Sequence, residues 1–519
     1  MIATFFVDKK VPYPFINSRF YVIIVAIEVC RFRPVRQVWI LVVYCALCVV
    51  IFHIPRTVEG LKELIKKNDI IKIKITATTS EGSGIGRTDD GMAVFVKSAA
   101  EGDTVEVRII KVSRNYCIGR LERVIDPSPD RCDADCPSYP ACGGCAYRHI
   151  TYPAECRIKR RRVADAMERI GHIRTPVGQI VAADRLCGYR NKAQYPVAMG
   201  AGGLQIGFYA QRSHRIVDSR CCRLQPDTFA DVTAAFDEFV TQYGISIYDE
   251  QSGRGLLRHI YCRAAEATGQ IMVCAVINGE TLPHAEQLVG MLCERLGENL
   301  KTVVLNINRE RTNVILGSRC VPIYGDGYIT DELCGVRVRL SAMSFYQVNR
   351  EMAERLYRIA ADLAAPDGKT VIDLYCGAGT IGLSMAGRAK RVYGVEIVPE
   401  AIEDARHNAR TNGIANAEFF CGDAADLAEQ LHKRGVTADI IVVDPPRKGL
   451  SSQLPHIIAR NFAPERVVYV SCNPSTLARD CAVFEQEGYA VTAITPVDLF
   501  PRTHHVETVA LLVRANGTV

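Results

Sequence analysis

From about residue 344 onward, short apolar runs rich in β-branched residues alternate with longer segments whose apolar positions recur every three or four residues. A helix over Phe345–Leu363 leads into runs at Thr370–Leu374, Val392–Glu396, Glu418–Cys421, Ile440–Val443 and Val467–Val470. Strands apolar on both faces and separated by helices predict a parallel, doubly wound sheet. Two more closely spaced runs, Ala490–Thr495 and Val506–Leu512, predict an antiparallel edge. Near the other end, Ile70–Thr76, Met92–Val96, Thr104–Val112 and Tyr116–Ile125 are separated by the turn-rich strings GSGIGRTDDG and AAEGD. This pattern predicts a small all-β unit, a five-stranded barrel of OB type. Gly82–Gly86 has the spelling of a phosphate loop, but no helical pattern follows it and that role is rejected. Residues 126–145 are irregular and cysteine-rich, a basic helical segment follows, and residues 181 to about 340 mix strands and helices without a repeat.

Composition narrows this picture only slightly. At 48% hydrophobic and 23% charged, the 519 residues exclude a disordered, collagen-like or wholly membrane-embedded chain. The length predicts about three domains. A formal charge of +6 is compatible with an RNA partner without requiring one. Twenty-one cysteines cannot all pair internally, and their scatter through apolar runs points to a reducing cytosol. Val38–Phe52 is an uninterrupted apolar run preceded by three arginines. It is short for a spanning helix and lacks a signal-type cleavage site, so residues 1–57 are expected to be an extension without chemistry rather than a membrane anchor.

The chemistry gathers at the predicted strand ends. The first strand of the sheet runs into Asp373-Leu374-Tyr375-Cys376-Gly377-Ala378-Gly379-Thr380, a loop that a ligand can approach closely. The next strand ends in Glu396, placed to accept hydrogen bonds from ribose hydroxyls. A dinucleotide enzyme shares that logic, but its glycine spacing differs, and the fourth strand adds Asp444-Pro445-Pro446-Arg447. After the fifth strand comes Ser471-Cys472-Asn473-Pro474, whose polar setting is unlike that of a packing cysteine. Glu507, in Phe500-Pro501-Arg502-Thr503-His504-His505-Val506-Glu507, is an acid that reaches the same crevice only if the last strand lies beside Cys472. Alone, it would be an ordinary solvated acid.

The strand order ending in a hairpin resembles S-adenosylmethionine-dependent methyltransferases. The strings DPPRKG, YVSCNPSTLARD, FPRTHHVE, SFYQVN and YCGAGT are similar to those of the RNA uracil-5-methyltransferase family over about residues 65–515. The resemblance implies Cys472 as nucleophile and Glu507 as base. It also implies S-adenosylmethionine contacts from Gln347, Tyr375, Thr380, Glu396, Asp423 and Asp444, and an RNA-binding TRAM domain for the leading barrel. Uracil C5 is a poor nucleophile, so thiolate addition at C6 followed by proton removal from C5 is the chemistry such residues would serve. The target base would have to leave its stack. Arg447 stands where amino methyltransferases carry an aromatic residue, which argues against amino-group methylation.

Cys136, Cys142 and Cys145 form C-x5-C-G-G-C, with Cys132 four residues earlier. Close thiols around a glycine pair point to a metal, and spacing alone does not separate zinc from iron–sulfur. The resemblance implies a [4Fe–4S] cluster with a distant fourth cysteine after Ile216-Val217-Asp218. Register favours Cys222 over its neighbour Cys221, and Cys132 is a spare. No C-x3-C-x2-C radical motif is present, so the cluster is expected to be structural or RNA-positioning. Arg190–Tyr195 and the basic residues 157–162 are candidate RNA surfaces or else solvated faces.

These readings give a multidomain α/β protein. Residues 1–57 are the extension and 58–125 the TRAM-like barrel. Residues 126–343 form an α+β domain carrying the cysteines, with the helix near 146–180 free to pack on the catalytic domain. Residues 344–519 form a Rossmann-like methyltransferase domain. The expected activity is methylation of C5 of a uridine in structured RNA, 23S rRNA ahead of tRNA, by a cytoplasmic monomer with no protein partner and no membrane. The resemblance places rRNA first because its smaller tRNA members lack barrel and cluster. The alternatives are an inactive RNA-binding or ribosome-assembly factor, disfavoured by the intact Cys472 and Glu507, and an iron–sulfur redox protein, which lacks a flavin or partner signature.

Overall fold

The computed structural model describes residues 65–515, so the apolar run at 38–52 lies outside the described residues. No helix among the described residues is long and apolar enough to cross a membrane. Every described cysteine is free.

Strands β1 (Ile70–Thr78), β2 (Gly84–Arg87), β3 (Ala93–Val96), β4 (Thr104–Val112) and β5 (Tyr116–Asp126) close into a barrel in the order β1-β2-β3-β5-β4. Alternation explains the closure. Ile73, Ile75, Val105, Val107 and Ile109 point inward and are buried, while Lys72 and Lys74 face out. The sequence string read as turn-rich contains β2, and its glycines permit close packing. A Cβ on Gly86 would lie 2.8 Å from Ile73 Cδ1 and 2.9 Å from the Lys74 carbonyl oxygen.

Beyond the cysteine-rich segment comes helix α1 (Tyr152–Arg169). The central sheet follows, from β6 (Lys192–Gly200), β7 (Gly203–Tyr209), β8 (Ile216–Asp218), β9 (Leu257–Ala264), β10 (Ile271–Ile277), β11 (Leu300–Ile307) and β12 (Arg319–Tyr324), in the order β12-β11-β10-β9-β6-β7-β8. Helices α2 (Thr228–Tyr243) and α3 (Ala285–Leu296) cover one face through Phe229, Phe236, Phe239, Leu288 and Leu292. A hairpin of β13 (Ile329–Leu333) and β14 (Val336–Leu340) lies on the other side, in one core with Tyr261, Met272 and Val304.

That core continues into helix α4 (Arg350–Ala364) and the last sheet. The sequence periodicity extends the helix back to Phe345, but it starts at Arg350. Asn349 caps it, its side chain accepting from the Met352 N–H. Residues 345–349 are thereby left as an extended lead that presents Gln347. The sheet comprises β15 (Thr370–Leu374), β16 (Arg391–Glu396), β17 (Ala417–Cys421), β18 (Ile440–Val443), β19 (Arg466–Ser471), β20 (Tyr489–Val497) and β21 (Glu507–Arg514). Its order is β17-β16-β15-β18-β19-β21-β20, with β21 inserted antiparallel between β19 and β20. Helices α5 (Thr380–Met385), α6 (Pro399–Thr411), α7 (Ala424–Lys433), α8 (Leu454–Ile457) and α9 (Pro474–Gln486) connect the strands. Helix α1 packs here as well, its Val163, Ala166 and Met167 sharing a core with Leu477, Ala478 and Phe484 of α9.

Both basic segments singled out in the sequence face inward or are internally paired. Tyr195 is fully buried, and burial beside Arg263 and Arg190 pushes Lys192 down to about 8. In the second segment Lys159 is buried and Arg160 donates to the Gly178 carbonyl. Arg157 pairs with Asp130, and Arg161 with Glu101.

Candidate active site

The strand order decides which residues meet. Moving from β15 to β16 and from β15 to β18 takes the chain in opposite directions, and the crevice above such a switch point is where open α/β sheets bind ligands. On one side lie the loop after β15, Glu396 at the end of β16 and Asp423 beyond β17. On the other lie Asp444 after β18, Cys472 after β19 and Glu507 at the start of β21. Ser471 pairs with Thr508 across the antiparallel β19–β21 ladder. The ladder ends there, with Cys472 the residue after Ser471 and Glu507 the residue before Thr508, near enough for the Glu507 carboxylate to act on the thiol.

The loop after β15 turns sharply. Tyr375 holds φ at +69°, a strained value for a residue with a side chain, and Gly377 and Gly379 also lie at positive φ. A Cβ on Gly377 would meet nothing within 4 Å, so the loop borders open space. Glu396 accepts from the N–H groups of Gly377, Ile397 and Val398 at 3.2, 2.9 and 3.0 Å. Asp423 caps α7 through the N–H of Ala425. Tyr357, on α4, joins the lead segment to this loop. Its hydroxyl lies 3.2 Å from Thr380 Oγ1 and it also contacts the Gln347 side chain.

The other half is a set of interacting charges. Burial pushes the Cys472 thiol up to about 11, and the neighbouring Glu507 and Asp444 add to this while Arg447 opposes it. Burial likewise lifts Glu507 to about 8, with Asp444 adding and Arg447 opposing. Asp444 itself is lifted to about 7 by burial. The loops are tied together: Asn473 Nδ2 donates to the Arg447 carbonyl at 3.0 Å, and the Arg447 guanidinium lies 3.5 Å from His505 Nε2. A thiol, a buried carboxyl of near-neutral proton affinity and an exposed cation thus share one crevice beside the glycine loop.

Comparison with known proteins agrees with this arrangement. Residues 326–515 match the family described as tRNA (Uracil-5-)-methyltransferase, and residues 66–121 match the TRAM domain. An uncharacterized RNA methyltransferase of Halalkalibacterium halodurans is 45% identical over 450 residues, 86% of this chain and 98% of the relative. One from Clostridium tetani is 41% identical over 449 residues, 86% of this chain and 97% of its own. The chain belongs to the RNA (uracil-5-)methyltransferase family. Among solved structures, the Pyrococcus abyssi tRNA (uracil-54, C5)-methyltransferase in complex with S-adenosyl-L-homocysteine superposes with a TM-score of 0.69 at 27% identity. The match covers 85% of this chain and 100% of that one. The protein is therefore a methyltransferase that uses S-adenosylmethionine on RNA, with a TRAM barrel at its leading end.

The crevice of this methyltransferase fits that cofactor. Asp373 is fully buried; its Oδ2 accepts from the Gly382 N–H at 2.8 Å, while Oδ1 has no partner within the protein. Burial raises this carboxyl to about 7. Phe345 is 66% exposed and Ile397 62% exposed, on the segments that carry Gln347 and Glu396. Large apolar side chains left in water beside an acid and a glycine loop suit an aromatic ring with polar substituents. Sequence reasoning named neither Tyr357 nor Ile397, and gave Asp373 and Phe345 only as parts of motifs. Ile397 was legible as the apolar residue directly after the predicted Glu396, and Phe345 as one two positions before the predicted Gln347.

The cysteine loop of the methyltransferase gathers four thiols. Cys136 and Cys142 lie near enough to Cys222, and Cys142 and Cys222 near enough to Cys145, to help raise those thiols. Arg148, with its side chain buried, donates from Nε to Cys145 Sγ at 3.3 Å, and the Gly144 N–H donates to Cys142 Sγ at 3.4 Å. Cys132 bonds instead to the Arg148 carbonyl, and Cys221 is exposed. Among the described residues, no group of three or more His, Cys, Asp or Glu side chains is arranged to hold a single metal ion.

Proposed function

We propose that this methyltransferase modifies C5 of a specific uridine through a covalent adduct between Cys472 and uracil C6. The observation that supports this reading is the β19–β21 pairing of Ser471 with Thr508, which brings the adjoining Cys472 and the buried Glu507 to the same end of the sheet. Cys472 gives up its thiol proton to water and reacts as the thiolate: the sulfur forms the S–C6 bond, and the C5–C6 π electrons move toward O4 to give an enolate. When bound, S-adenosylmethionine supplies a sulfonium methyl to the nucleophilic C5 and leaves as S-adenosylhomocysteine. Glu507 then takes the C5 proton, the C5–C6 double bond reforms, and the C6–S bond breaks to return the thiolate. Asp444 contacts the uracil edge as well as the cofactor. Gln347, Tyr375, Thr380, Glu396 and Asp423 hold the cofactor, the acid on the ribose hydroxyls.

Cys136, Cys142, Cys145 and Cys222 are proposed to hold a [4Fe–4S] cluster. An all-thiol set of four suits such a cluster, which spreads its ligands wider than a single tetrahedral ion does. Its contribution is to brace the RNA-binding surface. The target is proposed to be 23S rRNA, with a cytoplasmic, monomeric enzyme acting on it. A second reading, tRNA, is favoured by the Pyrococcus abyssi enzyme, a tRNA methyltransferase that aligns over its full length.

Mass-spectrometric mapping of 5-methyluridine in rRNA and tRNA, from cells lacking the gene and cells complemented with it, separates the two targets. Complementation with Cys472→Ala is expected to restore no methylation while the purified variant still binds S-adenosylmethionine. Near-normal methylation by that variant would overturn the covalent mechanism, and restoration in tRNA alone would overturn the rRNA target.

A further inference from the structure

The loop between β20 and Glu507 is held by groups far away in the sequence. Lys159 of α1 is fully buried, and its Nζ donates to Glu155 Oε1 and Asp498 Oδ1, both at 2.7 Å, and to the Phe500 carbonyl at 3.1 Å. Glu155 accepts from the Arg502 N–H at 2.7 Å. The Arg502 carbonyl accepts from the N–H groups of Ala146 and Tyr147, at 2.9 and 3.1 Å, directly after Cys145. Arg502 sits at φ +69°, a conformation that persists only where its surroundings over-determine it. Tyr189 adds a buried hydroxyl donating to the Pro501 carbonyl at 2.8 Å, and Arg162 donates to the His504 carbonyl at 2.6 Å.

Burying an ammonium between two carboxylates is a poor route to stability, because desolvation consumes most of the Coulombic gain. What such a network supplies is one fixed geometry. Its bonds to Asp498, Phe500, Pro501, Arg502 and His504 hold residues 498–504, three positions short of Glu507. Cys472, by contrast, is carried by a different loop, fixed by the Asn473 cap of α9 and the Asn473–Arg447 bond. Disturbing the network therefore acts directly on the segment that leads into the acid, and reaches the thiol only through the Arg447–His505 contact and the packing of α1 on α9.

We infer that Lys159, with Glu155 and Asp498, is a positioning residue for Glu507, a clamp that serves release of the methylated RNA rather than formation of the adduct. This rests on the proposed roles of Cys472 and Glu507.

The test uses the full-length protein, RNA prepared from cells lacking it, and S-adenosylmethionine labelled in the methyl group. Label in RNA that stays on the denatured protein is compared with label in free RNA. Glu507→Gln should accumulate the adduct. Lys159→Met should also accumulate it, with release slowed about ten- to a hundredfold, the cost of a roughly 1 Å misplacement. Tyr189→Phe, which changes no charge, should shift the balance the same way by a smaller factor, and it decides alone if Lys159→Met does not fold. The clamp is overturned if the folded variants release RNA at the wild-type rate. It is equally overturned if adduct and free product fall together, as a merely structural defect would make them. If Glu507→Gln traps nothing, the base assignment fails and the clamp fails with it.

Discussion

Burial first, then the Asp444 charge, lift the Glu507 carboxyl from 4.5 to about 8 against the pull of Arg447. The catalytic consequence has a definite sign. Glu507 can take the C5 proton only when ionised, so the release step should quicken as pH rises through about 8 and then level off. Single-turnover release measured against pH checks this, and Glu507→Gln should flatten the profile. The stability consequence runs the other way. A carboxyl raised on folding binds its proton more tightly in the folded state, so its stabilising contribution is complete below about 4.5 and lost as pH rises through about 8. The Tm of Glu507→Gln relative to the parent should therefore climb between those limits and plateau above them. Cys472 was legible in the sequence because Ser471, Asn473 and Pro474 do not surround packing cysteines. Glu507 was legible only as the partner of Cys472, since an acid opening a strand is ordinarily wet. Its burial follows from β21 being an interior strand, and that is a property of the sheet. Lys159 was legible only as one of a basic run, because its partner Asp498 lies more than 300 positions away, and Asp373 only as part of the loop, because the burial of its unpartnered oxygen belongs to the sheet.

At the scale of elements, periodicity carried most of the catalytic sheet. Thr370–Leu374 and Ile440–Val443 are strands with the bounds the pattern predicts, because buried parallel strands must be apolar on both faces. The antiparallel edge was legible too, though its insertion of β21 between β19 and β20 was not, because spacing along the chain does not fix neighbours in space. Pattern failed at β2, where two glycines in four residues read as a turn. Gly86 is a strand residue whose missing side chain makes room for Ile73 and the Lys74 carbonyl. Gly86→Val should overpack this contact, costing about 1–3 kcal/mol and lowering the Tm of the intact protein. An unchanged Tm would mean that Ile73 swings aside, leaving the glycine without a packing role.

The cysteine loop meets the barrel side, the central sheet and the catalytic loop, which neither periodicity nor spacing could reveal. Lys97 of the barrel side donates to the Pro140 carbonyl at 2.8 Å, and the Gly143 N–H donates to the Tyr209 carbonyl of the central sheet at 3.1 Å. Ala146 and Tyr147 hold the Arg502 carbonyl of the catalytic loop. A cluster at this junction would brace barrel, central sheet and catalytic loop together, so its loss should lower the stability of the whole rather than of one part. The fourth ligand distinguishes the alternatives. Cys222 and the loop thiols lie near enough to help raise one another, whereas Cys221 is exposed and lines a 570 Å³ surface cavity with Arg220, Asp231 and Asp237. Protein purified without oxygen is expected to be brown and to carry about four irons per chain. Cys222→Ser should lose iron and lower the Tm, while Cys221→Ser should keep both. Stoichiometric zinc in a colourless protein would overturn the cluster, and iron lost from Cys221→Ser alone would move the fourth ligand to Cys221.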